Sequence, residues 1–271
     1  MKPVVFIDSG VGGLPYLWEL RSRAPGQSLV YVADQQNFPY GTKSVEELQG
    51  LLHELLLEIC RVWDPQIVVL ACNTASVVGL EYLRAEFPEI TFIGTVPAVK
   101  PAALNSVNRA IGVLSTTRTS QDPYLLDLIR RYAADCLVHI TPLDPLVALV
   151  ESGQHRNPAV LREILQPVIE EYQEAGIDRV VLGCTHFIHA DAELARLFGP
   201  GISLVDSRKG VINRVMSFLR KISPAIEYDE APETGHAPWL YHRGRGNPGA
   251  VYQQLLTDAK LRRWCKETVY E

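Results

Sequence analysis

The sequence predicts an α/β protein built from two pseudo-symmetric parallel-sheet α/β lobes. Three observations predict it. Short β-branched runs alternate with longer amphipathic stretches along the chain. Most of the short runs are nearly continuous in apolar residues, as strands buried on both faces are. The segment Val68-Val69-Leu70-Ala71-Cys72-Asn73-Thr74 returns as Val180-Val181-Leu182-Gly183-Cys184-Thr185-His186, with the two cysteines 112 positions apart.

The first strand, residues 4–7, runs into Asp8-Ser9-Gly10-Val11-Gly12-Gly13-Leu14-Pro15, a glycine-rich turn that opens a helix with Pro15 in its first turn. Residues 29–33 form the second strand, and Asn37-Phe38-Pro39-Tyr40-Gly41-Thr42 reads as a turn leading to the next helix. There Ser44 and Glu47 make a capping box, and Val45, Leu48, Leu51, Leu52, Leu55, Leu56 and Ile59 recur at helical spacing. Further strands fall at 67–71, 91–94, 111–114, 137–141, 179–183 and 203–205. A helix through Val160, Leu161, Ile164, Leu165, Val168 and Ile169 should bend at Pro167 and end at Gly176. Another runs through Val211, Ile212, Val215, Met216 and Leu219. Residues 224–249, rich in proline and glycine, read as a loop-rich tail, and 249–271 end in one more helix.

The repeat extends beyond the cysteines: Ile7-Asp8 pairs with Leu114-Ser115 at an offset of 107, and Ile93-Gly94 with Leu204-Val205 at 111. The expected lobes are residues 1–97 with 208–271, and residues 98–207.

A chain of 271 residues with 47% hydrophobic and 21% charged residues has the composition of a globular protein with a sizeable core. Its 26 basic and 31 acidic side chains leave a net charge of −5, which argues against a nucleic-acid partner. No run reaches the ~18 apolar residues of a membrane span. The first apolar run meets Asp8 too soon for a signal peptide. Five cysteines without CxxC spacing suit a reducing compartment, so a cytoplasmic location is expected.

In open α/β sheets ligands bind beyond the carboxyl ends of the strands. Asp8-Ser9, Cys72-Asn73-Thr74 and Cys184-Thr185-His186 all stand there. A cysteine entering a helix N-terminus meets unpaired N–H groups and a positive dipole end, both of which favour its thiolate. Cys60, Cys136 and Cys265 lack that context and read as structural fillers. A metal site from Cys184, His186 and His189 would leave Cys72 unexplained. Disulfide chemistry lacks local CxxC geometry, and acyl transfer would leave one cysteine idle. Two-base proton transfer uses both: one thiolate takes a proton from a carbon acid and an opposed thiol returns one, inverting the centre.

The glycine turn is neither the dinucleotide fingerprint nor a GxxxxGK[ST] phosphate loop. Its backbone amides suit a small anion such as a carboxylate, and Asp8 could bind an ammonium, take the thiol's proton, or simply cap the helix. His186 and Glu151 are the polar groups that could adjust the second thiol. Arg243 and Arg245, in the tail, read as solvated.

These residues resemble glutamate racemases of the cofactor-independent aspartate/glutamate racemase family. The resemblance rests on Phe6 to Leu14, Phe38-Pro39-Tyr40-Gly41, Val69 to Ser76, Val96 to Ala102, Val181 to Phe187 and Val205-Asp206-Ser207, in order from about residue 4 to 220. It implies that Cys72 acts on the D-enantiomer and Cys184 on the L-enantiomer, with Asp8 supporting the first and His186 and Glu151 the second. It further implies that Asp8, Ser9, Tyr40, Gly41, Asn73, Thr74, Thr185 and His186 bind glutamate in a cleft between the lobes, with Thr116 a further contact. No cofactor and no metal are implied. A homodimer is a partner the resemblance allows, and the product would supply D-glutamate for peptidoglycan.

Two departures stand near these residues. Ile188-His189 replaces the family's Pro-Leu, and Arg118 replaces a glycine in a T-x-G-T turn. Alternatives are an aspartate or broad-specificity racemase, since one methylene is worth only ~1–3 kcal/mol of discrimination. A decarboxylase would need one cysteine, and a non-catalytic amino-acid-binding module would need neither.

Overall fold

The structure, a computed structural model, describes residues 2–222 and 238–244. The helix expected over 249–271, Cys265 and Arg245 lie outside the described residues, as does most of the 224–249 tail. In chain order the elements are β1 (Val4–Asp8), α1 (Leu14–Arg23), β2 (Leu29–Ala33), α2 (Val45–Trp63), β3 (Ile67–Leu70), α3 (Asn73–Glu86) and β4 (Thr91–Gly94). Then come α4 (Val99–Asn105), β5 (Ala110–Ser115), α5 (Thr117–Ser120), α6 (Pro123–Tyr132), β6 (Leu137–Pro142), α7 (Asp144–Glu151), α8 (Pro158–Glu174), β7 (Arg179–Leu182), α9 (Asp191–Phe198) and β8 (Ser203–Val205). Last are α10 (Arg208–Ile222) and β9 (Trp239–His242). The chain divides into two compact units, one of residues up to Thr95 with the described ones from Arg208 on, the other Val96–Ser207.

The first unit holds a parallel sheet in the order β4-β3-β1-β2-β9. Strands β1, β2 and β3 are buried along their whole length, which is why their sequences are unbroken apolar runs. Helix α2 starts where the Ser44 hydroxyl accepts the Glu47 N–H at 3.1 Å. The Glu47 carboxylate pairs with Lys43 instead of completing the reciprocal box. Leu48, Leu52, Leu55, Leu56 and Ile59 form the buried face of α2 in the core with Val5, Val30, Val68 and Leu70. Each such side chain contributes roughly 1.5–3 kcal/mol on burial. The helix stops at Asp64, whose left-handed φ of 46° turns the chain into β3.

The second unit holds a parallel sheet in the order β6-β5-β7-β8. Its central strands are buried, while β6 and β8, at the edges, are partly exposed. Helix α8 runs through Pro167 without a break, and Gly176, at φ 66°, follows its end.

Matching β1 to β5, β2 to β6, β3 to β7 and β4 to β8 gives both sheets the same strand order, so the sequence repeat is a repeat of topology. One offset needs correction. Ile67 faces Thr91 and Arg179 faces Ser203, so the last strands match at 112 rather than 111. Apolar identity alone does not distinguish the two, whereas a one-residue slip would turn every side chain to the other face.

The tail also needs correction. Residues 239–242, within the supposed loop, form β9, which pairs in parallel with β2 from Val30↔Trp239 to Ala33↔His242. Tyr241 packs edge-on against Trp63, with ring centroids 5.3 Å apart, and its hydroxyl donates to Glu58. These are tertiary contacts, and a four-residue run among prolines and glycines shows no periodicity to announce them. No counterpart of β9 exists among the described residues of the second unit.

Gly112 in β5 tests the packing of the second unit. A Cβ there would sit 2.3 Å from the Tyr172 ring, which is fully buried and anchored by its hydroxyl on Thr141 at 2.8 Å. Gly112→Ala is expected to lower stability by about 1–3 kcal/mol, measured by denaturant titration, and Tyr172→Leu in the same chain should recover part of it.

Candidate active site

In the first unit the strand ends gather Asp8, Tyr40 and Cys72. Asp8 is fully buried; its Oδ1 accepts the Gly10 N–H at 2.8 Å and lies 3.5 Å from the Ser9 hydroxyl. The residue capping α1 is Gly13, so the carboxylate organises the glycine turn rather than the helix end. Tyr31 holds that turn from β2: its hydroxyl donates to the Gly10 carbonyl at 2.8 Å and accepts the Gly13 N–H at 3.0 Å. Gly13 itself approaches β3 so closely that a Cβ would lie 2.5 Å from that of Ala71.

Cys72 leaves β3 in an extended conformation and caps α3, with 8% of its surface exposed. Ser76, one turn on, accepts the Thr95 N–H at 2.8 Å and lies within hydrogen-bonding distance of the Leu70 and Cys72 carbonyls. This fixes the backbone under the thiol. Asn73 and Thr74 are buried in the first turn of α3, in the field of its N-terminus.

The Asn37–Thr42 segment forms two short 3₁₀ turns, Gln35–Asn37 and Tyr40–Thr42, on either side of a cis Phe38–Pro39 peptide bond. The Tyr40 hydroxyl donates to Asp34 at 2.8 Å. Burial first, then the Asp34 charge, pushes the phenol well above its usual pKa, with Cys72 and Asp8 adding in the same direction. Tyr40 therefore stays protonated beside both groups. Gly41 stands in open space.

In the second unit Cys184 leaves β7 with the extended backbone of Cys72 and the same 8% exposure. The segment after it differs from its counterpart. Thr185–Ala190 is a 3₁₀ helix, where Asn73 after Cys72 opens an α-helix directly, and α9 begins only at Asp191. Five of those six residues are buried, Phe187 completely, and the turn packs against α7. His186 sets its Nδ1 3.9 Å from the Cys184 sulfur and its Nε2 2.7 Å from Glu151 at the end of α7. A thiol, an imidazole and a carboxylate thus stand in line, and the imidazole can pass a proton between the other two.

Thr185 is buried beside Cys184. Thr116 caps α5: its hydroxyl accepts the Thr119 N–H at 3.3 Å and lies 3.1 Å from the Thr119 hydroxyl. Of the departing pair after the second cysteine, Ile188 is buried and His189 meets the His155 ring edge-on, with centroids 6.4 Å apart. Cys60 and Cys136 are half-buried, and desolvation pushes both thiols up.

Sequence reasoning missed Tyr31, Asp34, Ser76 and Thr95. Asp34 stood at a signal already in use, the first residue after a strand. It also misread Arg243, which is not solvated: its side chain is 19% exposed and reaches Asp34 and Glu58.

Residues 19–214 match the family model for Asp/Glu/Hydantoin racemase. The chain belongs to that family. Among family relatives, the glutamate racemase of Treponema pallidum is 40% identical over 212 residues, which is 78% of this chain and 79% of the relative. That of Brucella ovis is 37% identical over 230 residues, covering 84% and 83%. Among solved structures, Escherichia coli glutamate racemase in complex with L-glutamate and the activator UDP-MurNAc-ala superposes with a TM-score of 0.82 at 30% identity, over 96% of each chain. The family's two-unit parallel α/β architecture is the one predicted from the sequence. No described helix is long and apolar enough to cross a membrane.

Proposed function

We propose that this protein interconverts L- and D-glutamate by proton transfer at Cα, with Cys72 and Cys184 as the two bases. One observation carries the reading: both cysteines follow equivalent strands, β3 and β7, of two sheets whose repeated strands share one order, and relatives 40% identical over 212 residues and 37% identical over 230 are glutamate racemases. A symmetric pair of thiols supplies a base and an acid of matched strength, which inversion at a carbon acid requires.

For D-glutamate, the Cys72 thiolate takes the Cα proton and the Cys184 thiol gives one to the opposite face; L-glutamate reverses the roles. Asp8 supports Cys72, and His186 with Glu151 supports Cys184, because each can take a proton from its thiol before turnover. Ser9, Asn73, Thr74 and Thr185, all buried, and the Gly41 backbone offer amides and hydroxyls to the two carboxylates, while the Asp8 carboxylate and the Tyr40 hydroxyl oxygen accept from the ammonium. Thr116 contributes through the cap of α5. The scheme needs neither metal nor cofactor, since a thiolate is itself the base. The product suits peptidoglycan assembly, in the cytoplasm, by a homodimer.

The test is proton NMR of L-glutamate with the pure protein in D₂O. Loss of the Cα–H signal together with loss of optical rotation is the expected result. Exchange with rotation retained would leave one working base and overturn the paired mechanism. No exchange on glutamate, with exchange on aspartate, would move the substrate.

A further inference from the structure

The strand without a counterpart in the repeat carries an arginine into the first unit's site. Strand β9 is continued by Arg243, whose N–H donates to the Ala33 carbonyl at 2.9 Å and whose carbonyl accepts the Gln36 N–H at 2.8 Å. Its guanidinium stands 3.4 Å from Asp34 Oδ1 and 3.7 Å from Glu58 Oε2. Asp34 has no exposed surface, and its carboxylate also accepts the Tyr40 hydroxyl at 2.8 Å and the Asn37 side-chain amide at 2.9 Å. The Asp34 N–H donates to the carbonyl of Asp8 at 2.9 Å.

We propose that Arg243 is a positioning residue for the reaction at Cys72, acting through Asp34 on Tyr40 and on the turn that presents Tyr40 and Gly41. The proposal rests on the racemase reading above. A carboxylate wholly out of water is retained only if charge and hydrogen bonds compensate it. Here Arg243 supplies the charge, while Tyr40 and Asn37 supply donors from either end of the segment 37–40. Remove the guanidinium and the carboxylate must take up a proton or water, and either change loosens both anchors. The bond also fixes the sense of the Tyr40 hydroxyl. Its proton is committed to Asp34, so its oxygen is left to accept, which suits an ammonium rather than a second carboxylate.

The experiment compares Arg243→Ala, Arg243→Gln and Arg243→Lys, each alone and in a Tyr40→Phe background, by initial rates of glutamate racemisation in both directions. Arg243→Ala is expected to raise KM roughly tenfold with a smaller fall in kcat, as a displaced binding turn should. Lysine, which restores the charge, should recover most of the loss. In the Tyr40→Phe background, removing Arg243 should add little, because the route runs through that hydroxyl. Should the alanine variant fail to fold, the glutamine variant, which keeps length and a donor but no charge, carries the same expectation against lysine.

An unchanged KM in the alanine and glutamine variants overturns the proposal. So does an equal fold-loss with and without the Tyr40 hydroxyl, which would make Arg243 a support of the sheet alone. A wild-type protein silent on glutamate and aspartate would sink the racemase reading and this proposal with it. An active wild type with indifferent Arg243 variants would sink the proposal alone.

Discussion

Cys72→Ser and Cys184→Ser are each expected to reduce racemisation by about 10²–10⁴ in kcat, the range that a positioned acid or base contributes. Serine keeps the shape and most of the volume of cysteine, but its hydroxyl is essentially un-ionised at neutral pH and serves as neither base nor matched acid. The backbone under each cysteine is fixed by secondary structure: Cys72 by Ser76 and α3, Cys184 by the turn after β7. Melting temperatures should therefore stay close to that of the parent. The double variant should be little worse than either single one, because the two groups act as one unit. Polarimetry of the three variants checks this; near-parental rates in either single variant would remove that cysteine from the mechanism.

The second large effect concerns stability. Asp178 precedes β7 and accepts from the Ser106 hydroxyl at 2.7 Å, the Val107 N–H at 2.6 Å and the Asn108 N–H at 3.1 Å, with Arg179 at 3.8 Å. Burial alone would push this carboxyl up. The bonds from Ser106, Asn108 and Val107 and the Arg179 charge outweigh it and hold the group below its ordinary value. A group depressed in the folded state stabilises it above the unfolded pKa, near 3.9, and loses that contribution as pH falls through the folded value.

Asp178→Asn replaces one acceptor by a donor among donors. We expect a loss of about 2–4 kcal/mol at pH 7, seen as a fall of ~5–10 °C in Tm. The gap between variant and parent should close as the pH is taken below about 4. A gap of the same size at pH 3 would show that the charge of Asp178 is not what holds the turn at 106–108.

What the sequence revealed divides by the range of the interaction. Strands 29–33, 91–94 and 203–205 could be bounded from the chain because apolar runs between turn residues are local signals. The equivalence of Cys72 and Cys184 was legible because a repeat compares like with like. The approach of His186 to Glu151 was not written in any pattern. Thirty-five positions separate them, and the sequence offered each as a polar group that could adjust the second thiol, without a spacing that joins the two. The 3₁₀ form of Thr185–Ala190 was hidden because its side chains would also suit a helix, and burial against α7 decided otherwise. Arg243 was misread for the same reason: its partners lie about 200 residues earlier in the chain.

Strand β9 has one more consequence. Without it, Leu29-Val30-Tyr31-Val32-Ala33 would be the border of the first sheet, a five-residue uncharged run with an open row of amides and carbonyls. Such a border recruits strands from other molecules, the route by which native sheets aggregate. The four residues of β9 occupy that row, so β2 offers no such template. The segment that steadies Tyr40 also keeps the sheet to itself.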